Sequence, residues 1–257
     1  MNAFYMLEQI PVLVSDTKTE KMPLVLLHGY LETHEIWESF RKLLDSDYRT
    51  IAVDLPGHGM SGTFMVNDME KQADVVYNYL QKEKINEVIM AGHSMGGYVA
   101  QAFCMKYPGL SKKLVLMHSL PYPDSEEKKA VRDRDVELIK RGKLNEVAER
   151  DIPLMYAPEN RIKLASVIEN TIATAQIHDS DGIEASLKGM KNRPSYVTFL
   201  QTMSIPLYCI FGMQDHYISL QKAEETAGIL NNAKIKILKS SGHNGFLEEP
   251  SEVHSFI

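Results

Sequence analysis

The sequence predicts an α/β domain: a mostly parallel central sheet with helices on both faces and a helical insertion late in the chain. Three observations carry this. Short apolar runs alternate with amphipathic stretches through the first half, the pattern of strands linked by helices. The alternation breaks between Leu120 and Tyr196, where no convincing strand occurs, and resumes at Leu207. The run VIMAGHSMGGYVAQAFCMKYP, Val88 to Pro108, passes from strand-like to helix-like with no polar loop between.

Taken in order, residues 3–15 read as one or two leading strands. Leu24 to Leu27 is a strand, Trp37 to Leu44 lies in a helix, and Thr50 to Val53 is the next strand. Asp68 to Glu83 is amphipathic, with Met69, Ala73, Val76, Tyr77 and Leu80 spaced for one helical face. Val88 to Ala91 and Lys113 to Met117 are strands short and apolar enough to be covered on both sides. Ser125 to Arg141 is rich in charge, with Val131, Leu138 and Ile139 between. Asn160 to Ala175 is a second helix, and Gly182 to Met190 a third. Leu207 to Phe211 and Ile235 to Leu238 complete the sheet. These spans divide the chain into a core, 1–119 and 197–257, and a helical insertion, 120–196. Because the insertion follows the C-terminal end of a strand, it is expected to cap a site at that edge.

The abrupt turn after Val88–Ala91 centres on Ser94, with Gly92 and Gly96 two positions to either side. A strand that reverses directly into a helix brings two backbones together, and glycines remove the side chains that would collide. The serine at the apex is then held in a strained conformation with its hydroxyl above the sheet, the G-x-S-x-G elbow. A serine hydroxyl is a weak nucleophile near neutral pH and needs a base, itself oriented by a third group. For this motif the acid and then the histidine follow the serine along the chain. Asp215 lies just after the run Leu207–Phe211, and His243 just after Ile235–Leu238. Both sit past strand C-termini, the edge where α/β sheets bind ligands. Asp124, after the strand preceding the insertion, is a second candidate acid.

Five segments together resemble the α/β-hydrolase superfamily: LVLLHGY (Leu24 to Tyr30), DLPGHGMSG (Asp54 to Gly62), GHSMGG (Gly92 to Gly97), and those carrying Asp215 and His243. The likeness covers nearly the whole chain. It implies the α/β-hydrolase fold, with Ser94 as nucleophile, His243 as base and Asp215 rather than Asp124 as acid. It implies that the backbone amides of Tyr30 and Met95 form the oxyanion hole, and that the insertion is a cap. The activity implied is hydrolysis of a carboxylic ester of a small or medium acyl compound. C–C bond, lactone or thioester cleavage with the same three residues is an alternative, as is a small-molecule receptor with little turnover. A serine at the elbow argues against relatives of this fold that use aspartate there.

The other histidines draw structural readings. His28 and His58 are expected to order their loops, and His93 to point away from the nucleophile. His34, His178 and His254 are expected on the surface or the insertion. His216 is a weak alternative base. His118, ending the strand KLVLMHSL, is expected to line the pocket and contact substrate.

The composition excludes other classes. With 257 residues, 44% hydrophobic and 24% charged, the chain suits one soluble α/β domain with an insertion. A net charge of −6 gives no nucleic-acid surface. No apolar run reaches the roughly 18 residues of a membrane helix, and the first residues lack a basic start and a long apolar core. A cytoplasmic protein is expected, with Cys104 and Cys209 as buried free thiols. The sequence spacing of His, Asp, Glu and Cys matches no metal site, and no nucleotide-binding glycine loop occurs. Neither metal nor cofactor is expected.

Overall fold

The computed structural model describes all residues, 1–257. Eight strands form one sheet: β1 (Asn2–Leu7), β2 (Ile10–Asp16), β3 (Met22–Leu27), β4 (Tyr48–Val53), β5 (Val88–His93), β6 (Ser111–Met117), β7 (Leu207–Gly212) and β8 (Ala233–Leu238). Their spatial order is β1-β2-β4-β3-β5-β6-β7-β8. β1 and β2 form an antiparallel hairpin that joins β4 antiparallel; every other pairing is parallel. The two leading strands expected from residues 3–15 are this hairpin.

The order reverses at β3. From β3 the chain runs through α1 (Glu38–Leu44) to β4, then through α2 (Met69–Lys82) back across to β5 on the other side of β3. Right-handed crossovers in opposite directions put their helices on opposite faces. Accordingly Phe40 and Leu44 of α1 pack with Trp37 and Phe246 on one face. Val76 and Tyr79 of α2 join Val99 and Phe103 of α3 (Met95–Lys106) on the other. At such a reversal the loops leaving neighbouring strands diverge and open a crevice at the strand C-termini. The loops after β3 and β5 carry Tyr30 and Ser94.

Between β6 and β7 the chain is helical throughout: α4 (Glu126–Lys140), α5 (Leu144–Asp151), α6 (Ala165–Gln176), α7 (Ser180–Asn192) and α8 (Val197–Thr202). The first, second and third helices expected here correspond to α4, α6 and α7. The sequence reading missed α5, whose inward residues are Leu144, Val147 and Ala148, and α8, whose Leu200 is buried. It also began α6 too early: residues 158–160 make a separate 3₁₀ turn, and the α-helix starts at Ala165. Buried residues of this segment continue the core on the α2–α3 face, so sheet and insertion share one apolar interior. After β7 come α9 (Leu220–Ile229), then β8, α10 (Gly245–Glu248) and α11 (Pro250–His254). Both cysteines are buried and free. No helix is long and apolar enough to cross a membrane.

Candidate active site

The elbow has the geometry its sequence requires. Ser94 sits at φ 49° and ψ −113°, a left-handed conformation that strains any residue but glycine. Its amide donates to the Met117 carbonyl at 2.9 Å, and its own carbonyl accepts from the Ser119 hydroxyl at 2.9 Å. A Cβ at Gly92 would meet the Gly96 backbone, and one at Gly96 the carbonyls of Leu27 and His28. Helix α3 therefore lies directly against the end of β3, and the first turn of α3 adjoins the loop of Tyr30. The Tyr30 N–H makes no hydrogen bond within the protein. Met95 is the first residue of α3, where the N–H has no intrahelical acceptor. Both expected oxyanion amides are thus free donors beside Ser94.

Asp215 and His243 come together from separate loops. The His243 Nδ1 and Asp215 Oδ2 are 2.7 Å apart. The other carboxylate oxygen accepts from the amides of Tyr217 at 2.8 Å and Ile218 at 3.0 Å. Burial works to raise the Asp215 pKa, but the facing imidazoles of His243 and His118 hold it well below the usual carboxylate range. The carboxylate is therefore fixed as an anion. Ser94 and His243 both line a cavity of about 830 Å³. With Nδ1 taken by Asp215, the nitrogen left to serve Ser94 is Nε2; no hydrogen bond joins it to the hydroxyl in this structure. Asp124, the other candidate acid, binds Arg132 and Arg193 instead. His216 lines the cavity but has no contact with Asp215 of this kind.

His118 departs from expectation. It does not line the cavity, and its side chain is fully buried behind Asp215. Its φ of 50° turns it off the end of β6 and under the acid loop. The Gly245 N–H donates to its Nε2 at 3.1 Å, so its proton is on Nδ1 and is donated to Asp215 Oδ2 at 3.1 Å. Burial pushes the His118 pKa down to about 4, against the pull of Asp215. His118, Asp215 and His243 place one ligating atom each within 4.8 Å of one another, a gathering that sequence spacing does not disclose. The two separations to Asp215 are hydrogen-bond distances, and both His118 nitrogens are already engaged.

A second buried histidine ties the loops together. His93 Nε2 donates to the carbonyl of His243 at 2.8 Å, and its Nδ1 to Glu32 Oε2 at 2.9 Å. Both partners are acceptors, so this ring carries both protons and forms a buried ion pair. Burial opposes the charges, yet each partner outweighs it: the His93 pKa is raised and that of Glu32 lowered. Glu32 Oε2 also accepts from the Gly29 N–H at 2.7 Å. One ion pair under the elbow thus anchors both the Tyr30 loop and the His243 loop. The sequence motif exposes His93 but not Glu32, whose role depends on a fold contact 61 residues away.

His28 fastens the same loop from the other side. Its Nε2 accepts from the Leu55 N–H at 2.9 Å, and its Nδ1 donates to the Gly29 carbonyl at 2.7 Å. His58 is buried against His28 and His178. His34, expected on the surface or the insertion, is on neither: it is buried and pairs with Asp54 at 2.7 Å. His178 lies on the insertion, one of the two places expected for it, and is buried there.

A model of the alpha/beta hydrolase fold matches residues 22–138. Among curated relatives, monoacylglycerol lipase ABHD6 of Mus musculus is 25% identical over 260 residues, covering 92% of this chain and 74% of its own. A 2-hydroxy-6-oxononadienedioate/2-hydroxy-6-oxononatrienedioate hydrolase of Paraburkholderia phymatum is 28% identical, covering 91% of this chain and 85% of its own. Among solved structures, a thermophilic esterase from Thermogutta terrifontis superposes with a TM-score of 0.92 at 27% identity, covering 99% of this chain and 96% of that one.

Proposed function

The chain belongs to the α/β-hydrolase superfamily, and from that premise we propose that it is a serine hydrolase cleaving a carboxylic ester of a small or medium acyl compound through an acyl-enzyme. The observation that carries this reading is the Asp215–His243 contact of 2.7 Å at the cavity into which the strained Ser94 elbow opens. Ser94 Oγ attacks the ester carbonyl while His243 Nε2 takes its proton. Asp215, already ionised and held by four donors, stabilises the imidazolium without taking the proton itself. The Tyr30 and Met95 amides receive the oxyanion, where preorganised donors are worth most. His243 then protonates the departing alcohol. Water, deprotonated by the same nitrogen, attacks the acyl-enzyme and releases the acid. The helical insertion acts as a cap, because it supplies Lys128, Leu154, Met155 and Leu187 to the cavity wall. The similarity to an esterase along nearly the full chain supports the ester as substrate.

The test is labelling by a fluorophosphonate together with turnover of activated esters of graded acyl length. Stoichiometric labelling and turnover are expected in the wild type, and both should vanish in Ser94→Ala while the fold persists. Removing the nucleophile of such a triad lowers kcat by on the order of 10⁶. Undiminished labelling of the variant would place the nucleophile elsewhere. Binding of small molecules without any turnover would favour a receptor.

A further inference from the structure

The cavity wall facing Ser94 carries more positive charge than it neutralises. Arg132 and Arg193 share a single carboxylate, Asp124: Arg132 through Nε, and Arg193 through Nη1 at 2.6 Å. All three side chains are buried. Arg193 is further fixed by the carbonyls of Met190 and Tyr122 and lies 3.9 Å over the Tyr98 ring. Asp124 alone offsets one of these two guanidinium charges. Arg150 lies between two carboxylates, Asp135 at 2.9 Å and Asp151 at 2.7 Å, so these three arginines and the three aspartates of the wall balance, and its excess positive charge rests on Lys128 and Arg134, neither of which forms an ion pair. Lys222 is likewise paired, with Glu225 at 3.0 Å.

Lys128 is the part of that surplus nearest the chemistry. It lines the cavity from the first turn of α4, and its ammonium forms neither an ion pair nor a hydrogen bond. The carboxylates that face it, Asp124 and Asp151, are committed to the arginines above. Burial depresses its pKa, and the charge of Arg132 adds to that effect. Its position relative to the chemistry is fixed by one aromatic ring. Lys128 Nζ lies 5.5 Å from the Tyr217 ring centroid, and the His243 ring centroid lies 5.1 Å from that same centroid. Tyr217 itself is tethered by its hydroxyl to the Asp151 carbonyl at 2.8 Å. A neutral acyl chain gains nothing from unneutralised cations in a partly desolvated wall, and their burial is costly without a counter-charge.

We propose that Lys128, with the Arg132–Arg193 pair behind it, is an anion subsite that holds a carboxylate of the substrate, so that the ester cleaved at Ser94 is an acidic one. The contacts of 5.5 Å and 5.1 Å through the Tyr217 ring keep Lys128 Nζ within about 11 Å of the His243 ring, a span that one small molecule carrying both the carboxylate and the scissile carbonyl can bridge. This rests on the ester-hydrolase reading and names the substrate class for it. The carboxylate belongs either to the acyl part, as in a half-ester of a dicarboxylic acid, or to the alcohol part.

Two matched pairs of esters separate these cases. The first compares mono-4-nitrophenyl glutarate with methyl 4-nitrophenyl glutarate. The second compares the acetate ester of 4-hydroxyphenylacetic acid with the acetate of its methyl ester. In at least one pair the wild type should favour the acid by roughly tenfold to a hundredfold in kcat/KM, the range of a hydrogen bond to a charged group. The pair showing it identifies the side that carries the charge. Lys128→Met keeps the stem over Tyr217 but removes the charge, and should erase most of that ratio; Lys128→Glu should invert it. Glutarate should competitively inhibit hydrolysis of a neutral ester in the wild type and lose that effect in both variants. Turnover of the neutral esters with Ser94 labelled, but no preference for the acid in either pair, would overturn the anion subsite and leave the esterase reading intact. A preference that survives both substitutions would also overturn it. No turnover and no labelling would remove both together.

Discussion

At the scale of single residues, the candidate acid is the best-supported group in the site, and His118 is part of the reason. Asp215 Oδ2 accepts from two imidazoles at once, His243 at 2.7 Å and His118 at 3.1 Å. A carboxylate sharing its charge with a second donor is a weaker base toward the first. Removing that donor should leave Asp215 more basic and bind the imidazolium of His243 more tightly. His118→Phe is therefore expected to move the acid limb of the kcat/KM profile to higher pH, by roughly half a unit to one unit, since a hydrogen bond to a charged group is worth about 1.5–3 kcal/mol and only part of it is transmitted. His118→Asn retains a donor and tolerates the left-handed backbone at this position, and should restore the profile. A pH–rate series on the three proteins decides it: a fall in kcat with the limb unmoved would reduce His118 to packing. This role was not legible in the sequence. The strand KLVLMHSL placed His118 at the correct sheet edge, but φ of 50° at that residue turns the ring beneath the acid loop instead of into the cavity. The same limit hid Glu32 and Asp54, whose histidine partners are set by the fold and not by the motif. Ser94, Asp215 and His243 were legible because each follows a recognisable strand.

At the scale of elements, the strand–turn–helix unit around Ser94 depends on backbone contact. A Cβ at Gly96 would press on the carbonyls of Leu27 and His28, which belong to the end of β3 and the start of the Tyr30 loop. Backbone cannot rotate away as a side chain does, so α3 would have to withdraw from β3. Gly96→Ala is expected to destabilise the fold by about 1–3 kcal/mol, the usual range for overpacking, and to lower kcat more than that loss explains, because the Met95 and Tyr30 amides would be drawn apart. Urea unfolding beside steady-state kinetics on neutral esters measures both; unchanged kinetics in a destabilised variant would show the two amides keep their spacing. The inner strands β3 to β7 were legible because their apolar runs are buried on both faces and bounded by turns, and the partly exposed edge strand β8 because its apolar residues alternate. The insertion was read less well. Its helices expose one side to solvent and are broken at short intervals, as at residues 152–160, where two 3₁₀ turns intervene. An eight-residue helix such as α5 offers only Leu144, Val147 and Ala148 as its pattern, too few positions to separate it from a loop.

For the whole molecule, the buried histidines set how stability responds to pH. His28, His58, His118 and His178 are all depressed by burial, His28 and His118 to about 4. Structure gives the same answer for two of them: Leu55 N–H donates to His28 Nε2, and Gly245 N–H to His118 Nε2. A proton added to either ring would set donor against donor. In the unfolded chain these rings titrate near the ordinary value of about 6.5. Below that pH the unfolded state binds more protons, and stability falls with the pH until the folded groups titrate in turn. His93 has the opposite sign. Its raised pKa contributes stability that is full below about 6.5 and is lost as pH rises through the folded value. Glu32 and Asp215, both lowered, keep their contribution until pH falls below the ordinary carboxylate range of about 4. Between pH 7 and 5 four groups thus act against the fold while one supports it. By pH 5 each ring held at about 4 costs on the order of 2 kcal/mol, so the urea midpoint should drop steadily over this interval and recover on return to pH 7. Measured at pH 7, 6 and 5, a flat or rising midpoint would mean that these imidazoles take up protons without opening the structure, and that their hydrogen bonds to Leu55 and Gly245 do not hold them neutral.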